Sequence, residues 1–393
     1  MANVLKRLFI LLFAMPAWCQ AYSYFIPQGQ REALMGNVGI SLPSSEGAPI
    51  YNPASAAGLS SDRISASGSL LNVTSTKMGN ESSFRDKSTS PSFSQIPGLI
   101  TGYNKTSWGN VGFFINTDYM LSFDKLFAYN ETNFTGYTEY EASLNSLNIG
   151  VIFANSAEFT KTLQLHYGIT ASLNSLEIKQ SIFSKTHVPT GNIYTGSFDN
   201  TNSKSTNVLT RLGLLLKDSS YSVGTYYQPQ GSVMTSSYSK FAYSVSSNGT
   251  VYDESTNTGN ALTTPTNYGL GASINLKSTR ILLDINIVEG SIEDQTGEED
   301  IKKDRTEAVG LGLEQALQSG NNIYAGVSYS KLRSENPSDI WLVSGGFDYK
   351  ISFIRNYFGA YYSAYKSPPN AQTNSSGSTV SYAGIILASQ YSF

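Results

Sequence analysis

Ala383-Gly384-Ile385-Ile386-Leu387-Ala388-Ser389-Gln390-Tyr391-Ser392-Phe393 is a period-two stretch that stops on an aromatic residue, with a second aromatic two positions earlier and aliphatics further back. Side chains of a strand alternate between its two faces, so Ile385, Leu387, Tyr391 and Phe393 share one apolar face. Such an ending is expected of a membrane β-barrel, which pairs its last strand with its first and leaves no open edge in lipid. The assembly machinery of the outer membrane is the expected reader of this ending.

The other end agrees with this destination. Lys6 and Arg7 precede an apolar run from Leu8 to Phe13, extended by Ala14 to Trp18, and Cys19-Gln20-Ala21 places small residues where a signal peptidase cuts. Residues 1–21 are therefore expected to be a signal peptide, with a cut after Ala17 as the alternative. Cut after Ala21, the chain loses its single cysteine and with it any disulfide or thiol chemistry.

Composition supports a wall between lipid and water. The chain carries 26 Tyr, 34 Gly and only 14% charged residues, with a mean hydropathy of -0.20, yet no apolar run after the leader is long enough for a membrane helix. A net charge of -3 without basic runs gives no reason to expect nucleic acid. Period-two segments bounded by Gly, Asn, Ser or Pro number about fourteen. They fall near 61–75, 93–104, 110–123, 137–154, 161–180, 205–217, 220–234, 266–277, 279–291, 304–317, 321–333, 340–352, 356–366 and 380–393.

Connections between them alternate short and long. Those at 105–109, 155–160, 218–219, 278, 318–320 and 353–355 are tight, whereas 76–92, 124–136, 181–204, 235–265, 292–303 and 367–379 are long. Among the outer loops 334–339 is a modest exception, and Phe241 to Ser244 offers an extension of the neighbouring hairpin above the membrane. Short periplasmic turns and long outer loops are the rule for outer-membrane barrels. The expected fold is an all-β, transmembrane antiparallel β-barrel of about fourteen strands over 61–393, closed as a monomer in the outer membrane of a Gram-negative cell, against lipid and lipopolysaccharide.

Parity assigns faces. In the clearest segment Ile281, Leu283, Ile285 and Ile287 belong in lipid and Leu282, Asp284, Asn286 and Val288 face inward. By the same reading Leu165, Tyr167, Ile169 and Leu173 point out, and His166, Thr170 and Asn174 point in. The inner face then collects Asp118, Arg211, Asp284, Asn286, Glu314, Asp348 and Lys350 with Phe114, Met120, Ile152, Leu209, Leu215, Tyr226, Leu282 and Val288. A water-filled pore needs mostly the first set, and a channel for apolar ligands needs a cluster of the second with a few polar groups for a head group.

Residues 22–60 are not a strand. Gly29, Gly36, Gly39, Gly47 and Gly58 with Pro27, Pro43, Pro49 and Pro53 break any ladder, while the segment is too apolar for a free tail. Irregular backbone is tolerated at membrane depth inside a barrel, so a plug is the expected role. Within it, Ala33-Leu34-Met35-Gly36-Asn37-Val38-Gly39-Ile40 and then Ser44-Ser45-Glu46-Gly47-Ala48-Pro49-Ile50-Tyr51-Asn52-Pro53-Ala54-Ser55-Ala56-Ala57-Gly58-Leu59 resemble the N-terminal hatch of the FadL-like family, outer-membrane transporters for long-chain fatty acids and other hydrophobic compounds. Asn52, Pro53 and Ala54 match that family's Asn-Pro-Ala element, and Ser44-Ser45-Glu46 stands where an Asp pair is usual. The resemblance implies a fourteen-stranded barrel, a hatch whose N-terminus can shift, a hydrophobic ligand taken up passively, and exit sideways beside a kinked strand. The kink candidate is Ile96-Pro97-Gly98, where Pro97 cannot donate to the ladder and Gly98 tolerates a bend.

Ligand or gating candidates are thus Asn52, Pro53, Ala54, Pro97, Gly98, Phe114, Met120, Leu209, Leu282 and Arg211. No catalytic constellation, metal site or cofactor is expected: His166 and His187 have no metal-ligand spacing, and the acidic loop Glu293, Asp294, Glu298, Glu299 and Asp300 is followed at once by Lys302, Lys303 and Arg305. Two other functional classes fit the same barrel. One is a secretion-associated protein whose Ser, Thr, Asn and Tyr-rich loops at 181–204 and 235–265 bind partners, and the other is a nonspecific porin.

Overall fold

The computed structural model describes residues 26–78, 84–85, 92–131, 134–188, 193–246, 249–257, 262–289, 305–333, 338–367 and 378–393. The leader with its two cut positions, residues 22–25 and the acidic loop at 293–300 lie outside these residues. The strands are β1 (Arg63–Met78), β2 (Phe84–Arg85), β3 (Ser92–Thr106), β4 (Gly109–Glu131), β5 (Phe134–Glu158), β6 (Gln164–Val188), β7 (Ile193–Lys217), β8 (Tyr221–Gln228) and β9 (Ser232–Ser246). They continue as β10 (Gly249–Asn257), β11 (Thr266–Leu276), β12 (Thr279–Glu289), β13 (Arg305–Ala316), β14 (Asn322–Arg333), β15 (Ser338–Ile351), β16 (Ile354–Ser367) and β17 (Ser378–Ser392).

Fourteen of them, β1, β3 to β8 and β11 to β17, form one closed antiparallel wall. Closure is made by β17 on β1, from Arg63 opposite Ser392 to Met78 opposite Ser378. The C-terminal alternation thus serves the seam, with Ile385, Tyr391 and Phe393 exposed on the outside and Ile386, Ala388 and Gln390 turned in. On β12, Leu283 and Ile285 are 45% and 43% exposed while Leu282 and Asp284 are 0% and 1% exposed, as parity requires. Tyr167, Ile169 and Leu173 of β6 are likewise outside, and His166, Thr170 and Asn174 inside. Exposed Trp108, Phe159, Phe353, Tyr391 and Phe393 ring the end with the short turns, and Tyr227, Trp341 and Tyr362 lie on the outer face nearer the other end. An apolar belt between aromatic girdles is the surface of an outer-membrane barrel.

Three outer connections differ from the sequence reading. The stretches 124–136 and 181–204 are mostly strand, because the β4–β5 and β6–β7 hairpins run on to Glu131 opposite Phe134 and to Val188 opposite Ile193. The stretch 235–265 is largely the β9–β10 hairpin, whose β9 pairs with the first half of β7. Above the membrane both faces of a strand meet water, so Ser, Thr, Asn and Tyr occur on both and the period-two signal vanishes while the backbone ladder persists. The expected single strand at 220–234 is two, since Pro229-Gln230-Gly231 interrupts it and Gly231 N–H donates to Thr264 O at 2.9 Å. The β9–β10 excursion leaves the wall at this point, and the wall itself resumes with β11 on β8.

Residues 26–59 pack against the inner face. Leu34, Met35, Val38, Ile40 and Leu42 are each 0% exposed, and burial on that scale contributes about 1.5–3 kcal/mol per large side chain. One cluster joins Ala33, Leu34, Met35, Val38 and Leu42 to Leu282, Tyr324, Tyr357 and Ile386 of the wall. A second joins Ala48, Ala56 and Leu59 to Tyr103, Ile152 and Ala154. The segment hydrogen-bonds to itself through tight turns, such as Leu42 N on Gly39 O and Tyr51 N on Gly47 O, and the wall meets further backbone groups. Asp284 Oδ2 accepts from Gly39 N and Ile40 N at 2.6 and 2.8 Å, Ser344 Oγ accepts from Gly36 N at 2.8 Å, and Asn110 Nδ2 donates to Ala56 O at 2.7 Å. Close approach requires Gly36, at φ +73, where a Cβ would stand 2.7 Å from Val327 N.

Candidate ligand cavity

The Asn-Pro-Ala element stands at the junction of segment and wall. Asn52 is fully buried and caps a 3-10 turn over Pro53–Gly58: its Oδ1 accepts from Ala54 N at 3.1 Å. Its Nδ2 donates to Ile40 O at 2.8 Å and to Leu214 O of β7 at 3.0 Å, tying two parts of the segment to one strand. Pro53 fixes the chain direction into the turn, and Pro53 and Ala54 are both buried. Gly168 of β6 leaves room there, since a Cβ on it would come within 2.5 Å of the Pro53 carbonyl carbon.

On the side of the segment facing the long hairpins lies a cavity of about 120 Å³, floored by Gln28, Asn37, Pro49, Ile50 and Tyr51. Its walls bring together Phe114, Leu209, Arg211, Tyr226 and Val288 from four strands. The Arg211 guanidinium is held by Gln228, whose Oε1 accepts from Nη2 at 2.8 Å and Nε at 3.2 Å, and it lies 4.8 Å over the Tyr226 ring. The Tyr226 hydroxyl sits 2.7 Å from Asn267 Oδ1 and 2.9 Å from Asn286 Oδ1. Among the described residues Arg211 therefore meets an amide, a ring and the Pro49 carbonyl at 3.4 Å, and makes no ion pair. A guanidinium so held keeps donors for a carboxylate beside an apolar wall.

The sequence candidates divide. Phe114, Leu209 and Arg211 line the cavity. Leu282 faces inward but is covered by the segment, in the cluster with Leu34 and Met35. Asp118 and Met120 lie on β4, with side chains outside those described. Pro97 and Gly98 mark a bulge: β3 places Gly98 and Leu99 opposite Ser67 alone, between the pairs Ala66–Ile100 and Gly68–Pro97. Ser67 Oγ takes over part of the ladder by accepting from Leu99 N at 3.1 Å. A second irregularity follows on β1, between Ser69–Ile96 and Asn72–Ser94. Tyr51, Gln28 and Asn37 were not legible as lining residues, their one signal being that Tyr51 precedes Asn52-Pro53. No group of three or more potential metal ligands occurs among the described residues.

No family model and no curated protein matches the sequence. Solved structures do match. A channel described as the CymD monoaromatic hydrocarbon channel aligns over 94% of this chain and 98% of its own, at 14% identity and a TM-score of 0.62. The Ralstonia pickettii toluene transporter TbuX covers 94% and 99% at 15% identity and TM-score 0.58, and a Pseudomonas aeruginosa FadL homologue 94% and 99% at 10% and 0.60. The chain has the FadL-type fold. At such identities the likeness carries the architecture, and the FadL-type barrel's own residues must carry the chemistry.

Proposed function

We propose that this FadL-type barrel is an outer-membrane channel for passive uptake of a hydrophobic or amphipathic small molecule, with a long-chain fatty acid as the class that best suits it. The observation that carries the reading is Arg211, held by Gln228 and Tyr226 at the edge of a cavity whose other walls include Phe114, Leu209 and Val288. Cavities near this size hold ligands on the scale of a benzene ring, about 150 Å³, so the cavity takes the head group and first carbons while the rest of a long ligand extends toward the hairpins. The N-terminal segment, 22–60, acts as the plug beneath it. Exit is sideways, beside the bulged β1–β3 pair, because an apolar ligand that leaves through the wall avoids water. The names of the three solved structures, all of channels or transporters or their homologue, fit this reading.

The test is uptake into proteoliposomes of oleate against a hydrophilic sugar. Saturable oleate uptake with sugar excluded is expected, and sugar flux without oleate binding would make the barrel a porin. Exit is tested separately: cysteines at Ser69 and Ile96, which are directly opposed in the ladder, should on oxidation slow release and on reduction restore it. Unchanged release after complete oxidation would remove the lateral route.

A partner-binding role has one observation behind it. Phe198, Phe241 and Tyr243 form an aromatic cluster on the extended hairpins, with ring centroids 5.6 to 6.1 Å apart.

A further inference from the structure

At the end with the short turns a second pocket, of about 630 Å³, opens between the N-terminal segment and the β1–β17 seam. Its charged lining is Arg31, Glu46, Arg63, Lys350 and Arg355, with Phe353 and Tyr357 as the aromatic part. The segment, the start of β1 and the β15–β16 hairpin each contribute, so the pocket exists only while the segment is seated.

Its charges do not balance. Arg63 Nη1 meets Glu46 Oε1 at 2.5 Å, Arg31 Nη2 lies 3.8 Å from Glu46 Oε2, and Arg355 Nη1 meets Asp348 Oδ2 at 2.9 Å. Behind them Glu314 is shared by Arg31 at 3.7 Å and Arg280 at 2.9 Å. Among the described residues Arg31, Arg63, Arg280 and Arg355 are ion-paired to Glu46, Glu314 and Asp348, Lys350 has no ion pair, and Arg31 Nη2 also donates to Ser44 O at 2.8 Å. Of two other carboxylates nearby, Glu32 accepts from Ser45 Oγ and Gln30 N and also acts on Arg31 through space, while Asp62 accepts from Asn104 and the Lys105 backbone. Arg31 Nε and Arg63 Nε are buried without a hydrogen-bond partner. A cluster of guanidinium groups with unused donors is suited to planar oxyanions, which accept two parallel bonds from one arginine.

We propose that this vestibule is an oxyanion site at the periplasmic mouth, taking the carboxylate end of an amphipathic ligand on Arg31, Arg63 and Arg355, with Lys350 adding attraction at the rim and Phe353 and Tyr357 covering the first carbons. The proposal rests on the uptake reading above for its choice of ligand. Its function would be to give an anionic ligand a second resting place, separated from Arg211 by the segment.

Binding is measured by calorimetry on the full chain in a maltoside detergent, with Arg211→Gln as background so that the upper cavity does not contribute. Octanoate should bind saturably, octanol should not, and acetate and inorganic phosphate should bind more weakly than octanoate. Lys350→Glu and, separately, Arg355→Gln should each weaken octanoate by about tenfold, with heat-modifiable migration unchanged. Octanoate affinity indifferent to both substitutions in folded protein would overturn the site. Acetate or phosphate binding as tightly as octanoate would overturn its assignment to an amphiphile. Vestibule binding without oleate uptake into liposomes sinks the uptake reading alone, and uptake of an uncharged hydrocarbon with no vestibule binding sinks this proposal alone.

Discussion

Asp284 is where the seating of the N-terminal segment is most exposed to a single substitution. Its Oδ2 accepts from Gly39 N and Ile40 N at 2.6 and 2.8 Å, and both donors are buried. Asp284→Ala leaves two N–H groups without a partner, each worth about 1–3 kcal/mol, so the seated state should lose roughly 2–6 kcal/mol relative to a displaced one. An opposing effect is relief from burying a carboxylate whose Oδ1 has no partner. Asp284→Asn separates the two, because its amide oxygen can accept both bonds while the charge is gone. The ladder around position 284 is made by backbone groups, from Leu283–Leu311 to Ile285–Val309, and is untouched by either change. In planar bilayers Asp284→Ala should therefore conduct ions more, or open more often, than wild type, with Asp284→Asn close to wild type and both proteins heat-modifiable. Equal conductance of Asp284→Ala and wild type would refute the claim that these two bonds hold the segment.

Asn52→Ala removes donors to Ile40 O and Leu214 O and the cap on Ala54 N; ligand uptake should fall with little loss of barrel assembly, and wild-type uptake would reduce the element to an ordinary turn. Arg211→Met should weaken a fatty acid more than its alcohol by about tenfold, read as displacement of a fluorescent analogue, and equal weakening of both would mean that the guanidinium serves packing. Phe393→Asp places a charge at the interface, which costs about 1 kcal/mol or less in a folded barrel; insertion in cells should drop sharply while refolding in detergent stays normal, and equal insertion in cells would deny the ending a role in assembly.

Parity along the chain was informative wherever the two faces of a strand meet different media. On β12 the lipid side is Ile281, Leu283, Ile285 and Ile287 and the inner side carries Asp284 and Asn286, so the face assignment followed from chemistry alone. The β4–β5 and β6–β7 extensions hid because water wets both sides, and Ser, Thr and Asn then carry no phase; of the β9–β10 hairpin only Phe241 to Ser244, at the aromatic part of β9, was legible. The cavity was legible only in part for a different reason. Parity tells which way Leu282 and Leu209 point, but not that the segment covers the first and stops short of the second. Gln28, Asn37 and Tyr51 come from backbone with no period at all, tied to one another by Gln28 N on Asn37 Oδ1 and the Tyr51 hydroxyl on Gln28 O, within a segment anchored to the wall by contacts such as Gly36 N on Ser344 and Asn52 on Leu214.

The central claim is that a hydrophobic ligand rests in the cavity above the segment. A long-chain fatty acid carrying a photoreactive diazirine near its carboxylate, cross-linked to the intact barrel and mapped by mass spectrometry, should label peptides containing Phe114, Leu209, Tyr226 or Val288, and an excess of unlabelled oleate should suppress that labelling. Labelling confined to lipid-facing positions such as Leu283 and Ile285, unaffected by competitor, would contradict the account.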